Sequence, residues 1–415
     1  MNAAEIMWVV LGALTAAMWL ARLVVMGPML RRRNPLTPRS IAALPADCPK
    51  VSVLVAAKDE EKNIAPCITT LLSQDYPSLE VIAIDDRSND RTGKILADLA
   101  AGSADRMRVV TIKHLPANWF GKAYAMREGL KRATGQWLLF TDADCVFDTP
   151  RAVSIAVAHA IEKGTDFLTI IPSLQAPTWW ERVFQPVCAI VLMFWFQPDK
   201  VNHPRSPCAY ANGAFMLIRR AALETMGGYE AVRGHITEDT KLAQIAKGIG
   251  LSLRVEENAG LYHTRMYETM WSAFGGWSRI FAGALVRPGK VILAIVLLAI
   301  FSVGPWVGFA LALGWGSSHA GGAKWAIAVW GLAVVLKQAA MLRLYGAIGF
   351  GRIWSLGYPV GSVGMLLILC NALLKTSGLT TTTWKNTTYR AGGESTESSS
   401  VGTPEPAPVA ENSTS

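Results

Sequence analysis

Trp137-Leu138-Leu139-Phe140-Thr141-Asp142-Ala143-Asp144-Cys145 is the stretch on which the fold turns. Its four apolar residues form a buried strand, and Thr141 to Cys145 follow it without a break. Asp142 and Asp144 therefore stand two apart at the strand's carboxyl end, the edge where open α/β sheets bind ligands. Two carboxylates so placed repel each other unless a positive charge stands between them. Mg²⁺ is commonly held by one or two carboxylates together with substrate phosphates. The competing reading of the same triplet is a solvated turn.

The pattern around this stretch is regular. Residues 51–57, 81–84 and 109–112 read as strands, and 63–72, 91–99 and 123–133 as helices between them. A further strand at 167–171 and a helix at 238–249 continue the alternation. Strands alternating with helices of this length predict an α/β fold with a largely parallel sheet.

The ends of the chain are different. Residues 7–26 are apolar apart from Arg22, long enough for the ~20 residues a bilayer core requires. They lack a basic leader and a small-residue cleavage site, which predicts an uncleaved anchor. Three more apolar stretches, 291–313, 325–342 and 354–374, bring the expected spans to about four. Arg31, Arg32, Arg33, Arg287, Lys290, Arg343 and Arg352 flank them and predict cytoplasmic ends. The resulting plan is an anchor at 1–30, a basic, Pro-containing linker at 31–49 and a cytosolic domain at 50–285. A membrane domain of about three helices at 286–376 and a disordered polar tail at 377–415 complete it. Residues 183–196 are apolar but short, which fits a helix in the membrane interface or a core helix of the domain.

Composition excludes several classes. The chain has 415 residues, 51% of them hydrophobic, and a net charge of +9. Its basic residues flank apolar segments instead of forming a basic-aromatic stripe, so nucleic acid is not the expected partner. The six cysteines are scattered without Cys-x-x-Cys spacing, which argues against a disulfide frame or zinc site.

Other motifs sit beside the strands, each with a plainer reading. Asp85-Asp86-Arg87-Ser88-Asn89-Asp90 suits nucleotide hydroxyls, or an Asx-rich turn. Gly121-Lys122 suits a phosphate, or a capped helix start. Thr237-Glu238-Asp239 suits a general base in a cleft, or an N-cap with acids in the first turn. His235 and His263, as isolated histidines, read as structural.

Taken in order, Val51 to Ala57 with Lys58-Asp59-Glu60-Glu61-Lys62-Asn63, then Asp85 to Asp90, Gly121-Lys122, Asp142-Ala143-Asp144 and Glu238-Asp239 resemble the family 2 glycosyltransferases of GT-A fold. The resemblance covers residues 50–279. It implies a nucleotide-sugar site with Ala57, Asp85, Asp86, Lys122 and Asp142 on the nucleotide. It implies Mg²⁺ or Mn²⁺ on Asp144 and Asp142, and Asp239 as catalytic base with Glu238 beside it. Processive synthases of the family carry Gln-x-x-Arg-Trp after this point, but here the chain reads Phe274-Gly275-Gly276-Trp277-Ser278-Arg279. Trp277 and Arg279 would meet the acceptor and the diphosphate, or Trp277 would anchor at the interface. Residues 201–205 and 211–220 look like the subset that modifies lipids, including hopanoid-associated, carotenoid and ceramide-type enzymes, with Asn212 and Gly213 lining the cleft.

The expected function is inverting, metal-dependent transfer of a single sugar from a nucleotide sugar, with a UDP-sugar as the expected donor, to a hydroxyl of a membrane lipid at the cytosolic face of the inner (plasma) membrane. A processive polysaccharide synthase and a non-catalytic membrane nucleotide-binding scaffold are the rivals. No motif encodes the sugar, the lipid or the oligomeric state.

Overall fold

Val51, Val53 and Val55 fall on one face of the first strand and Leu54 on the other, and all four are fully buried. A strand apolar on both faces belongs in the middle of a sheet covered twice. The computed structural model of the chain describes residues 1–40, 44–103, 105–315 and 322–380, and the backbone of 382–384, 387–389 and 395–397.

The strands are β1 (Val51–Ala57), β2 (Leu79–Asp86), β3 (Met107–Ile112), β4 (Trp137–Asp142), β5 (Cys145–Phe147), β6 (Phe167–Ile171), β7 (Ser173–Leu174), β8 (Met216–Arg219), β9 (Leu253–Glu257) and β10 (Tyr262–Thr264). The main sheet has the order β3-β2-β1-β4-β8-β6-β9, parallel except where β8 runs against β4 and β6. A small sheet, β5-β10-β7, stands beside it. β1 lies between β2 and β4, so the order reverses at β1 and opens a crevice at its carboxyl end.

The helices are α1 (Ala3–Arg32), α2 (Ile64–Leu72), α3 (Thr92–Ala101), α4 (Gly121–Leu130), α5 (Ala152–Glu162), α6 (Trp179–Trp195), α7 (Pro198–Asn202), α8 (Arg220–Thr225), α9 (Glu238–Gly248), α10 (Met270–Leu285), α11 (Pro288–Leu298), α12 (Gly304–Trp315), α13 (Ala323–Ala347) and α14 (Tyr358–Thr376). Helices α2, α3 and α5 cover one face of the main sheet, through Ile68, Leu96 and Val153 among others. Helices α4, α8 and α9 cover the other, through Met126, Leu223 and Leu242. Each fully buried Val, Leu or Ile contributes about 1.5–3 kcal/mol relative to exposure.

Among the described residues four helices are long and apolar enough to cross a membrane: Ala3–Arg32, Pro288–Gly314, Ala323–Ala347 and Arg352–Thr376. Within the second, a π turn at Ala299–Val303 joins α11 to α12.

Residues 183–195 belong to a longer helix, α6, with Phe196 just past its end, and its partner is the last spanning segment. A Cβ on Gly361 would lie 2.4 Å from the Val183 carbonyl oxygen, so glycine permits the contact. Trp179 and Phe194 of this helix remain exposed. The linker is docked on the domain: Leu36 N donates to the Glu257 carbonyl at 2.8 Å, and Arg151 Nη1 donates to the Pro38 carbonyl at 2.7 Å. In the stretch expected to be a disordered tail, Thr382–Trp384, Thr387–Tyr389 and Ser395–Glu397 pair as antiparallel strands. Their Thr, Trp and Tyr residues favour extended backbone. The rest of 381–415 lies outside the described residues.

Candidate active site

The carboxyl ends of β1, β2 and β4 are level, with Ala57 opposite Asp85 and Ala56 opposite Asp142. Because β8 is antiparallel, the turn that enters it, Asn212 to Phe215, arrives at the same edge. A cleft of about 1030 Å³ opens there. Ala57, Asp86, Lys122, Asp142, Asp144, Asn212, Gly213, Glu238, Asp239, Trp277 and Arg279 line it, so almost every residue singled out from the sequence meets in one place.

Lys122 is the hub. Its Nζ lies 2.6 Å from Asp142 Oδ1 and 3.0 Å from Glu238 Oε1. The second pair is held by charge, since Glu238 Oε1 has no aligned hydrogen bond. Burial alone would lower the lysine's pKa, but Asp142, Glu238 and Asp239 together hold it well above the usual value. A Cβ on Gly213 would lie 2.8 Å from Lys122 Nζ and 3.3 Å from Asp239 Oδ2, so a side chain there would crowd this cluster.

Asp239 stands in the first turn of α9. Its Oδ2 accepts from Gly213 N at 2.9 Å and its Oδ1 from Thr240 N at 2.6 Å. Burial and the neighbouring Glu238 nevertheless push its pKa up to about 7. Asp144 is raised to about 7 as well, by burial and then by Asp142 and Glu60. Carboxylates tuned into this range, in a cleft, are suited to exchanging protons or to meeting a cation.

The remaining residues divide. Asp86 lines the cleft while pairing with Arg87 Nε at 2.9 Å. Asp85 does not line it: its Oδ1 accepts from Ser88 N at 3.2 Å, and its Oδ2 lies against Gly93 of α3. Asn212 shapes the β8 turn, its Oδ1 accepting from Ala214 N at 3.0 Å. Trp277 is 4% exposed and packed against Phe281, with its Nε1 unpartnered. His263 Nδ1 lies 2.7 Å from Asp148 Oδ1, and neither His263 nor His235 lines the cleft.

Sequence reasoning did not single out Tyr267, Arg265, Phe350 or Lys375, all of which line the cleft. Phe350 and Lys375 follow or close spanning segments, where composition signals only the membrane. Among the described residues no group of three or more His, Cys, Asp or Glu side chains is gathered to hold a metal.

Comparison with known proteins agrees with this geometry. Residues 52–227 match the family described as "Glycosyl transferase family 2". The 4,4'-diaponeurosporenoate glycosyltransferase of Staphylococcus haemolyticus (strain JCSC1435) is 25% identical over 272 residues, 63% of this chain and 69% of the relative. The enzyme of the same name from Staphylococcus aureus (strain USA300) is 23% identical over 265 residues, with the same shares of 63% and 69%. Among solved structures, a mannosyltransferase from Pyrobaculum calidifontis in complex with GDP-Man and Mn²⁺ superposes with a TM-score of 0.54 at 18% identity. That match covers 90% of this chain and 98% of the mannosyltransferase, and it shows the fold. The chain thus contains a glycosyl transferase family 2 domain of GT-A fold, carried beside apolar helices of membrane-spanning length, and it is a glycosyltransferase.

Proposed function

We propose that this glycosyltransferase moves a single sugar from a nucleotide sugar to a hydroxyl of a membrane lipid, with inversion at the anomeric carbon. One observation carries the reading. The cleft that holds Lys122 and its carboxylates also has Ile348, Phe350 and Lys375, at the ends of spanning helices, on its wall. A water-soluble donor and a bilayer-confined acceptor can meet only in such a place.

The residues take roles from their positions. Ala57 and Asp86 wall the end of the cleft suited to the base and ribose, and Asp85 supports the turn that presents Asp86. Lys122 would turn from Asp142 and Glu238 toward the diphosphate, whose negative charge grows as the bond to the sugar breaks. Asp239 faces the cleft as the base that takes the acceptor's proton, and Glu238 stays buried beside it, 5% exposed. Asn212 and Gly213 hold the wall between donor and acceptor.

The acidic pair fits a divalent ion. Burial, and then the neighbouring Asp142 and Glu60, raise the pKa of Asp144, and a cation beside it would offset both. Asp144 and Asp142 supply few ligands, as suits Mg²⁺ or Mn²⁺ completed by diphosphate and water. Such an ion would withdraw charge from the leaving diphosphate.

Arg31 to Arg33, Arg287, Lys290, Arg343 and Arg352 favour a cytoplasmic catalytic domain in the inner membrane. Lipid mass spectrometry of cells with and without the gene, paired with UDP-sugar turnover by the purified full chain, tests the reading. A glycolipid bearing one sugar should vanish with the gene, and Asp144→Ala should abolish metal-dependent transfer while the protein still inserts. A polymeric product would identify a processive synthase. Absent turnover, together with an unchanged phenotype in Asp239→Asn, would leave a scaffold.

A further inference from the structure

Part of the cleft wall is apolar. Leu192 and Met193 line it from the end of α6, and Phe196 lines it just past that helix. Because α6 packs on α14, this wall is continuous with a spanning segment. Tyr210 stacks on Phe196, with ring centroids 5.1 Å apart and planes 24° from parallel. It lines the same cleft and is only 8% exposed. Its ring extends the apolar wall, and its hydroxyl brings a polar group to it.

The hydroxyl's proton can be placed. Asn212 Oδ1 accepts from Ala214 N at 3.0 Å, so the main chain fixes which way that amide faces. Its Nδ2 therefore points at Tyr210 and donates to the hydroxyl oxygen at 3.3 Å. An amide nitrogen cannot accept, so the Tyr210 proton points elsewhere. Among the described residues it has no acceptor. A buried donor left unpaired carries the cost of its desolvation, which an oxygen brought into the cleft would remove. Burial, and then Asp239, push the Tyr210 pKa up, so the phenol keeps its proton for donation.

The same turn holds the base. Gly213, next to Asn212, donates its N–H to Asp239 Oδ2 at 2.9 Å. Asn212 N donates to Thr169 Oγ1 at 2.9 Å, which pins the turn to β6. Adjacent residues of one anchored turn thus position both Tyr210 and Asp239.

We propose that Tyr210 holds the acceptor's hydroxyl oxygen where Asp239 can deprotonate it. This rests on the transfer proposed above and names the group that sets how deep an amphiphilic acceptor enters. Tyr210 donates to one lone pair of the acceptor oxygen, and the other attacks the anomeric carbon. The acceptor's proton passes to Asp239, and the electron pair of the broken bond leaves with the nucleoside diphosphate. Tyr210 keeps its proton throughout. The acceptor's chain lies along Phe196, Met193 and Leu192, so adjoining parts of one wall receive its apolar and polar ends.

Pyrene-labelled hexadecanol and pyrene-labelled hexadecane, which differ only in the hydroxyl, provide the test. Each is titrated into the full chain in phosphatidylcholine nanodiscs, with binding corrected for uptake by empty discs. Wild type should prefer the alcohol. Tyr210→Phe should weaken alcohol binding about fivefold, the scale of one neutral hydrogen bond, and leave hydrocarbon binding unchanged. A purely structural role would move both probes. Asn212→Asp keeps an oxygen on Ala214 N and turns a second oxygen toward Tyr210. The phenol proton then turns to that carboxylate, and alcohol binding should fall as in Tyr210→Phe. Equal alcohol binding by wild type and Tyr210→Phe would overturn the proposal, as would wild-type alcohol binding by Asn212→Asp. So would loss of UDP and GDP affinity in Tyr210→Phe with alcohol binding intact, since the hydroxyl would then serve the donor. Normal nucleotide binding with no effect of Tyr210→Phe on the alcohol sinks this inference alone, whereas absent nucleotide binding by wild type sinks the transfer reading.

Discussion

Asp239 is held by two main-chain donors, Gly213 N and Thr240 N, and still titrates near pH 7 because it is buried beside Glu238. A base works only when deprotonated, so the rate of transfer should rise with pH through about 7 and then level off. Asp239→Asn should cost ~10²–10⁴-fold in kcat and remove that limb from the pH profile. A profile whose limb survives the substitution would place the base elsewhere. The same shift has a stability consequence. A carboxyl whose pKa is raised on folding makes the fold less stable as pH climbs from the ordinary aspartate range to about 7. Thermal unfolding of Asp239→Asn at pH 8 should therefore occur at higher temperature than that of wild type. At this scale the sequence was ambiguous for a physical reason. Asp142-Ala143-Asp144 and Glu238-Asp239 are locally indistinguishable from a turn and a helix start, and only their convergence on Lys122, distant in the chain, separates the readings.

At the scale of elements, the parallel strands begin at a buried carboxylate opposite the cleft. Glu80, at the start of β2, accepts from Ser52 Oγ of β1 at 2.6 Å and from Thr134 N and Oγ1 at 2.8 Å, and pairs with Lys50 Nζ at 3.2 Å. Burial would raise its pKa, but the hydrogen bonds from Ser52 and Thr134 outweigh it and hold the pKa down to about 2. Its stabilisation is thus present above the ordinary glutamate range and lost as pH falls toward 2. Glu80→Ala should cost about 1.5–3 kcal/mol at pH 7, read from chemical or thermal unfolding, and much less near pH 2. An equal cost at both pH values would show that packing, not the charge, supplies the effect. The strands themselves were legible because β1, β2 and β4 are apolar on both faces, which periodicity detects. Helix α6 was not, because its apolar run fits an interface or a core equally well. The deciding contacts lie on Gly357, Gly361 and Gly364, in a segment read only as a membrane span.

At the scale of the whole molecule, a boundary at residue 285 separates compositions but not packing. Trp277, Phe281 and Leu285 of α10 and Val187 and Cys188 of α6 share one buried cluster with Met365, Ile368 and Leu369 of α14. Arg33, just after the first membrane helix, pairs with Glu257 of β9 at 2.6 Å and donates to the Ala347 carbonyl at the end of α13 at 2.7 Å. Residues 50–285 therefore share a packed core with the apolar helices, an arrangement that the proposed transfer to a membrane lipid would require. Removing residues 286–376 would lay bare a contiguous apolar surface on α6 and α10, beside Trp271, already 82% exposed. Residues 50–285 expressed alone should then aggregate or require detergent, while the full chain in detergent elutes as a single species in size-exclusion chromatography. Nucleotide binding by the shortened protein, once held in detergent, should persist, because Asp86, Lys122, Asp142 and Asp144 face the cleft from the sheet edge and the helix beside it. A shortened protein that is soluble and monodisperse without detergent would show that the cluster is an accessory contact and that the domain stands by itself.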